Sequence, residues 1–252
     1  LAKKPSKYVK MMNIKPIYSI NFDIIPRSSK KIIYLIYHYT GMKSESKAIE
    51  RLQNKNSKVS CHYFIKKNGS ILNMVPDKFT AWHAGISCWK KHKNLNDKSI
   101  GIEIQNSGHL NNYSQFTKKQ IKSTLYLTKI LKKKYNIKRK NFLAHSDISP
   151  NRKNDPGEKF PWKYLAKHKI GIWYNLPQKV VKLRGVEVSN NEKKLFYLYL
   201  KKIGYCLKKK RSKNLKYIIR AFQRRYRSKI INDRIDKECF EIAKNLIKHG
   251  LN

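Results

Sequence analysis

Short apolar runs alternate with helical segments along the chain up to about residue 176. The apolar runs lack a period of 3.6 and are rich in β-branched and aromatic residues, which favours strands over helices. They predict strands over 31–38, 60–65, 71–75, 99–105 and 141–145. Asn68-Gly69, between the second and third runs, predicts a hairpin turn because glycine tolerates a positive φ.

Two helices are predicted between these strands. One covers 44–55, and the other begins at Thr117, which forms a capping box with Gln120. The apolar face expected of this second helix consists of Ile121, Leu125, Thr128 and Leu131. A polar loop over 146–161 follows the last strand. Strands that alternate with helices predict an α/β fold with a central sheet flanked by helices.

The pattern changes after about residue 176, where three amphipathic stripes predict a small three-helix domain. The stripes are Leu195, Leu198, Tyr199 and Ile203, then Leu215, Ile218, Ile219, Phe222 and Tyr226, then Phe240, Ala243, Leu246 and Ile247. We therefore expect four segments: a basic, extended arm over 1–30, an α/β domain over 31–175, a linker over 176–191 and the three-helix domain over 192–252.

The chain of 252 residues has 58 Lys and Arg residues against 15 Asp and Glu residues, a formal net charge of +43. Lysines are scattered through every segment, and no zinc-finger spacing or RNP-like motif accompanies them, so we expect no nucleic-acid partner. A basic nucleic-acid-binding protein remains the alternative. No apolar run approaches the roughly 18 residues of a membrane-spanning helix, which excludes an integral membrane protein.

The four cysteines are too far apart for a CxxC motif and too few for a disulfide scaffold, so they leave the redox compartment open. They are Cys61, Cys88, Cys206 and Cys239. The first residue is Leu1, which is compatible both with removal of a signal peptide and with a trimmed chain.

Two histidines and an aspartate could form a metal site. His38 and His145 each end a predicted strand, and Asp155 lies ten residues after His145. Two imidazoles and one carboxylate are a ligand set of catalytic zinc sites, which keep a fourth position for water. The spacing alone leaves open the alternative that each histidine is a hydrogen-bonded structural residue.

Glu103 and Lys153 are the candidate catalytic residues. Glu103 lies in a strand that looks central, where an unpaired carboxylate would be costly. It therefore either pairs with a lysine or faces a polar cleft as a general base. Lys153, close to Asp155 in the chain, could stabilise an oxyanion, or it could be one of many surface lysines.

Four stretches of the chain together resemble the type 2 N-acetylmuramoyl-L-alanine amidases, the AmpD- and AmiD-like family related to phage T7 lysozyme and the peptidoglycan recognition proteins. They are Ile36-Tyr-His-Tyr-Thr40, Ser60-Cys-His-Tyr-Phe-Ile65 with Asn68-Gly69, Ala81-Trp-His-Ala-Gly85 through Ile104, and Ala144-His145 through Lys153-Asn-Asp-Pro-Gly157. The resemblance covers roughly residues 31 to 165 and implies a mixed sheet with flanking helices and an open groove.

The resemblance implies hydrolysis of the amide between N-acetylmuramic acid, ordinary or 1,6-anhydro, and L-alanine of the peptidoglycan stem peptide. It also implies one Zn²⁺ per chain and the role of each matching residue. His38, His145 and Asp155 would be the ligands, Glu103 the acid/base and Lys153 the oxyanion stabiliser, with His83, Ala84 and Gly85 lining the groove and His62 packing behind it. The alternative is a non-catalytic peptidoglycan recognition protein.

The three-helix tail resembles the peptidoglycan-binding domain of AmiD-type amidases, through residues 203–205, 221–226 and 236–239. The glycine turn usual before the last helix is replaced by Ile231-Asn-Asp-Arg-Ile235, so a domain that only packs on the enzyme remains an alternative to glycan binding. The two-domain layout implies an exported, periplasmic or envelope enzyme, with a cytoplasmic one as the alternative. We expect a monomer whose partner is peptidoglycan or a muropeptide.

Overall fold

The computed structural model describes residues 13–207 and 215–250. In these ranges the strands are β1 Ile14–Pro16, β2 Phe22–Asp23, β3 Tyr34–Tyr39, β4 Tyr63–Ile65, β5 Ile71–Asn73, β6 Thr80–Ala81, β7 Cys88–Trp89, β8 His92–Lys93, β9 Ser99–Ile104 and β10 Phe142–Ala144. The α-helices there are α1 Glu45–Gln53, α2 Lys118–Lys134, α3 His145–Ile148, α4 Trp162–Lys167, α5 Asn190–Ile203, α6 Leu215–Tyr226 and α7 Lys237–Asn245.

The main sheet has six strands in the order β1-β5-β4-β9-β3-β10. Strands β4, β9, β3 and β10 run parallel, whereas β5 is antiparallel to β4 and β1 is parallel to β5. Strands β2 and β6, and β7 and β8, form two small antiparallel pairs. The predicted mixed sheet flanked by helices is confirmed.

Both faces of the sheet are covered, as the uninterrupted apolar character of β3 requires. On one face, Leu35 and Tyr37 share an apolar cluster with residues of β9, α2 and α4. On the other face, Tyr34 and Ile36 share a cluster with residues of α5, α6 and α7. The C-terminal helices therefore have a common core with the sheet, although the predicted domain boundaries themselves stay a prediction.

Polar side chains cap the first turn of four helices. In α2 the predicted capping box is present, since the Gln120 N–H donates to Thr117 Oγ1 (3.1 Å) and the Thr117 N–H donates to Gln120 Oε1 (3.0 Å). Each such cap satisfies a backbone group that the helix itself leaves unpaired. The caps of α1, α5 and α7 are Ser44, Ser189 and Asp236.

The predicted buried faces of two helices need correction. In α5, Leu195 and Leu198 are 40% and 52% exposed, and the buried residues are Phe196, Leu200 and Ile203. In α2 the buried face is rotated relative to the prediction and consists of Gln120, Ser123, Thr124, Leu127, Thr128 and Leu131. The α6 stripe from Ile218 to Tyr226 is buried as predicted.

The segment predicted as an extended arm contributes to the sheets. Strand β1 pairs with β5 and forms an edge of the main sheet, and β2 pairs with β6. Residues 1–12 of that arm lie outside the described residues. The hairpin turn is confirmed, with Gly69 at φ +88° between β4 and β5.

A disulfide joins Cys88 in the β7–β8 hairpin to Cys206, which follows α5. The sequence separation is 118 residues, and the sequence analysis did not find this pair. Cys61 and Cys239 are buried free thiols. None of the described helices is both long enough and apolar enough to cross a lipid bilayer.

Candidate active site

Three neighbouring parallel strands bring the candidate residues to one edge of the sheet. In the register of β3 and β9, His38 lies opposite Glu103. In the register of β10 and β3, Ala144 lies opposite Tyr37, so His145 follows at the level of His38. The carboxyl ends of parallel strands are where α/β proteins bind their ligands.

His38, His145 and Asp155 form a compact buried cluster. The Nδ1 atoms of the two histidines are 2.9 Å apart, and each lies 3.0 Å from Asp155 Oδ2. The side chains are 1%, 4% and 8% exposed, respectively. The geometry thus brings together the three residues that the sequence analysis proposed as a ligand set.

The protein environment sets the proton position on His145. Its Nε2 lies 3.1 Å from the carbonyl oxygen of Ala84. A carbonyl oxygen only accepts hydrogen bonds, so Nε2 carries the proton and donates. In the neutral ring, Nδ1 is then an unprotonated lone pair directed at the cluster.

A relay of hydrogen bonds sets the proton position on His38 in the same way. Ser99 Oγ donates to the carbonyl oxygen of Leu95 (2.6 Å) and therefore accepts from His83 Nε2 (3.2 Å). The remaining nitrogen of His83, Nδ1, then accepts from His38 Nε2 (3.0 Å). His38 Nδ1 is left as a lone pair, again directed at the cluster.

In these tautomers two imidazole lone pairs and one carboxylate oxygen face one another, an arrangement that a cation would stabilise. Burial lowers the pKa of His38 to about 4, so this ring is neutral at pH 7. Two imidazole nitrogens and one carboxylate oxygen fit Zn²⁺. The backbone carbonyl of Ala84, which accepts from His145 Nε2, is a partner of the kind that orients metal ligands.

The side chain of Glu103 lies beside this cluster with an unsatisfied oxygen. Its Oε2 is buried and has no hydrogen-bond partner among the described residues. Burial and, to a smaller extent, the Asp155 carboxylate raise the pKa of Glu103 to about 8, against the opposing effect of Lys153. A positive charge at the cluster would favour the carboxylate form. Such a group can exchange a proton near neutral pH.

Lys153 and Arg152 lie on the loop between α3 and Asp155. The half-buried Lys153 interacts electrostatically with Glu103 and His38. Arg152 donates to the carbonyl oxygens of Ala84 (2.9 Å) and Ile86 (3.2 Å). Arg152 thus ties this loop to the segment that also accepts the hydrogen bond from His145, a contact that the sequence analysis missed.

The three residues expected to line the groove differ in position. His83 is 9% exposed and lies behind His38, with both ring nitrogens hydrogen-bonded. Its position fits orientation of His38, and contact of His83 with substrate stays a prediction. Ala84 is buried, with its carbonyl oxygen directed at His145, and Gly85 is exposed beside Arg152. His62 is buried and accepts from the Gly101 N–H (3.0 Å), as a packing residue would.

Sequence comparisons identify the family of this chain. Residues 28–158 match the family described as N-acetylmuramoyl-L-alanine amidase (Amidase_2). The chain is 35% identical over 236 residues to N-acetylmuramoyl-L-alanine amidase AmiD of Escherichia coli. This alignment covers 87% of this chain and 84% of AmiD. It is 40% identical over 111 residues to 1,6-anhydro-N-acetylmuramyl-L-alanine amidase AmpD of Haemophilus influenzae. This second alignment covers 43% of this chain and 58% of AmpD.

Two solved structures resemble this one over most of its length. Escherichia coli AmiD in complex with anhydro-N-acetylmuramic acid-L-Ala-D-γ-Glu-L-Lys superimposes with a TM-score of 0.78 at 33% identity, covering 88% of this chain and 91% of AmiD. AmpDH3 from Pseudomonas aeruginosa in complex with an anhydromuramic pentapeptide superimposes with a TM-score of 0.76 at 28% identity. The superposition covers 88% of this chain and 93% of AmpDH3. The chain therefore belongs to the N-acetylmuramoyl-L-alanine amidase family.

Proposed function

We propose that this protein is a zinc-dependent amidase that hydrolyses the bond between N-acetylmuramic acid and L-alanine of the peptidoglycan stem peptide. The observation that carries the proposal is the buried set of three ligand atoms on His38, His145 and Asp155, which lie 2.9–3.0 Å from one another. Zn²⁺ held by these residues would supply a Lewis acid that polarises the amide carbonyl and lowers the pKa of water.

Glu103 is the proposed acid/base. Its carboxylate takes a proton from the attacking water and then delivers it to the L-alanine nitrogen as the amide bond breaks. The unpartnered, buried Oε2 supports this role, because a carboxyl oxygen with no structural hydrogen bond is available to substrate and water. A pKa of about 8 in the metal-free site also supports reversible protonation.

Lys153 is the proposed stabiliser of the oxyanion that forms as water attacks the carbonyl. Its position near Glu103 and His38 supports this role, and among the described residues no hydrogen bond or ion pair holds its ammonium group. A cation at the developing negative charge lowers the barrier most in a site from which water is largely excluded.

The expected compartment is outside the cytoplasm. The Cys88–Cys206 disulfide supports this assignment, because disulfides persist in oxidising compartments and are rare in the cytosol. Three expectations remain predictions: glycan binding by the C-terminal helices, the monomeric state and the lack of a nucleic-acid partner.

Digestion of purified peptidoglycan followed by mass spectrometry tests the activity. We expect free stem peptides that begin at L-alanine, from substrates with ordinary or 1,6-anhydro muramic acid. Intact muropeptides after incubation with zinc-loaded protein would favour the non-catalytic recognition protein instead.

Elemental analysis of the purified protein tests the metal site. We expect about one zinc per chain in the wild type and none in His38→Ala. His92→Ala is the matched control, because His92 lies outside the cluster and interacts with Tyr34. One full equivalent of zinc in His38→Ala would refute His38 as a ligand.

A further inference from the structure

We propose that Arg225 and Tyr205 are positioning residues for the metal ligand His145 and act through Asp147. Both residues belong to the helical region, which is the part of the chain from the start of α5 to the end of α7. This inference rests on the proposed zinc site. It assigns to the helical region a direct part in the metal centre, besides any contact with glycan.

The ligand His145 lies at the start of a very short helix. Helix α3 has four residues, His145–Ile148, and its only carboxylate is Asp147. Asp147 Oδ2 accepts from the backbone N–H of Ala144 (2.8 Å), which closes the turn around His145. The Ser146 N–H donates to the carbonyl oxygen of Asp155 (2.9 Å), so the same turn also holds the backbone of a second ligand.

The helical region supplies two more partners of Asp147. Tyr205 donates its hydroxyl proton to Asp147 Oδ1 (2.8 Å), and Arg225 Nη1 forms an ion pair with Asp147 Oδ2. Asp147, Tyr205 and Arg225 are 1%, 2% and 4% exposed. A buried carboxylate that accepts from a neutral donor on one oxygen, and from a charged and a neutral donor on the other, is held in one orientation.

Arg225 also contacts the strand that leads into this turn. Its Nη2 donates to the carbonyl oxygen of Phe142 (3.0 Å), the first residue of β10, and its guanidinium lies 4.0 Å from the ring centre of Trp162. One side chain of α6 therefore binds both the start of β10 and the turn after it. His145 lies between these two points of attachment.

Tyr205 and its two chain neighbours are held by contacts with the β7–β8 hairpin, which follows the Ala84–Ile86 segment. The next residue, Cys206, is disulfide-bonded to Cys88. The Lys90 N–H donates to the carbonyl oxygen of Gly204 (2.7 Å), and the Trp89 ring packs edge-on against Tyr205 at 4.9 Å. The hydroxyl of Tyr205 is therefore directed at Asp147 by a cross-linked segment of backbone.

These contacts predict that the helical region determines how well the two ligands are preoriented for metal. Partners of metal ligands typically contribute about 10- to 100-fold to metal affinity, and residues one step further out belong at the low end. We expect Tyr205→Phe and Arg225→Lys to weaken zinc binding about 10-fold. Tyr205→Phe removes only a hydroxyl group and keeps the aromatic packing.

Competition with a chromogenic chelator at pH 7.5 measures the zinc dissociation constant of each folded variant. Tyr63→Phe is the matched control for Tyr205→Phe, because Tyr63 also donates from a buried position to an aspartate, Asp77 (2.8 Å). Arg227→Lys is the control for Arg225→Lys, because Arg227 forms a buried ion pair with Asp236 (2.6 Å) within the helical region. Both controls should keep the wild-type zinc affinity.

Unchanged zinc affinity in Tyr205→Phe, or an equal loss in both controls, would overturn the inference. If Arg225→Lys does not fold, the comparison of Tyr205→Phe with Tyr63→Phe decides. Failure of the proposed function gives a different result, since the wild-type protein would then bind no zinc and release no stem peptide. A wild type that binds zinc and variants that bind it equally well would refute only the positioning role.

Discussion

The carboxyl group of Glu103 is costly to bury, and its neighbours offset little of that cost. Burial raises its pKa to about 8, whereas the same carboxyl group in the unfolded chain has a pKa near the model-peptide value for glutamate. The folded, metal-free protein therefore binds more protons than the unfolded chain between these two values, and its stability falls as the pH rises through this window. Such a cost is typical of residues retained for catalysis.

We predict that Glu103→Gln keeps zinc, remains folded and loses about 10²- to 10⁴-fold in turnover. The amide has nearly the same shape but cannot accept and return a proton. Hydrolysis of a muropeptide, followed by chromatography, measures the loss, and elemental analysis checks the zinc. The exposed Glu50→Gln on α1 is the control. Turnover at the wild-type rate would exclude Glu103 as the acid/base.

His62 predicts a pH dependence of stability. Burial and, to a smaller extent, the neighbouring Arg27 guanidinium lower its pKa to about 3. The unfolded chain binds more protons between this value and about 6.5, so the stabilisation is complete above pH 6.5 and is lost as the pH falls. Urea denaturation in EDTA should show unfolding free energy falling less steeply below pH 6.5 in His62→Gln than in wild type.

The control for this experiment is His168→Gln, because His168 is exposed. That variant should follow the wild-type pH dependence. An identical slope in wild type and His62→Gln would mean that burial of this imidazole does not contribute to the loss of stability in acid.

At the scale of secondary-structure elements, strand β9 contributes to the active site because its two faces have different residues. Ile100, Ile102 and Ile104 face the core, as the alternation predicted, and Glu103 faces the opposite side with Gly101. A Cβ atom built on Gly101 would lie 2.4 Å from the ring of His83. Glycine at this position lets the His83 ring approach the strand closely enough to reach both His38 and Ser99.

We predict that Gly101→Ala displaces His83, weakens zinc binding and lowers the unfolding free energy by about 1–3 kcal/mol. Chelator competition and urea denaturation measure the two effects. Gly185→Ala is the control, because no atom lies within 4 Å of its added Cβ, although its φ of +80° makes it strained as well. It should lose stability and keep zinc affinity. Wild-type zinc affinity in Gly101→Ala would refute the role of this close approach.

The predicted elements were most reliable where a local signal was strong, such as the capping box of α2. The buried face of α5 was wrong because its apolar residues occur on both sides of the helix. Leu195 and Leu198 have helical spacing, and so do Phe196, Leu200 and Ile203. Only the surface against which α5 packs decides between these two faces, and that surface comes from distant parts of the chain.

At the scale of the whole molecule, the sheet and the C-terminal helices are held together by an apolar cluster, a buried ion pair and a disulfide. The cluster contains Tyr34 and Ile36 of β3 together with residues of α5, α6 and α7. The ion pair joins Arg225 to Asp147, and the disulfide joins Cys88 to Cys206. The helices are thus more firmly attached than a module on a flexible linker would be.

We predict that reduction of the Cys88–Cys206 disulfide lowers the unfolding free energy by about 2–4 kcal/mol, because the bond closes a long loop in the unfolded chain. Urea denaturation with and without a thiol reductant measures the change. A variant with both cysteines replaced by serine should not respond to the reductant, whereas Cys239→Ala should respond like the wild type. Equal midpoints for oxidised and reduced wild type would contradict the prediction.

The sequence by itself determined five of the six strands of the main sheet and the capping of α2, because local periodicity and capping signals are written in short stretches. It also singled out His38, His145 and Asp155 as candidates, through the resemblance of the motifs that contain them. Only the tertiary structure decided which histidine nitrogens hold protons, since His145 contacts Ala84, 61 residues away in the chain, and His38 contacts His83, 45 residues away. The same holds for the disulfide and for the contacts of Asp147. These features depend on contacts across tens of residues, and no local pattern of side chains specifies them.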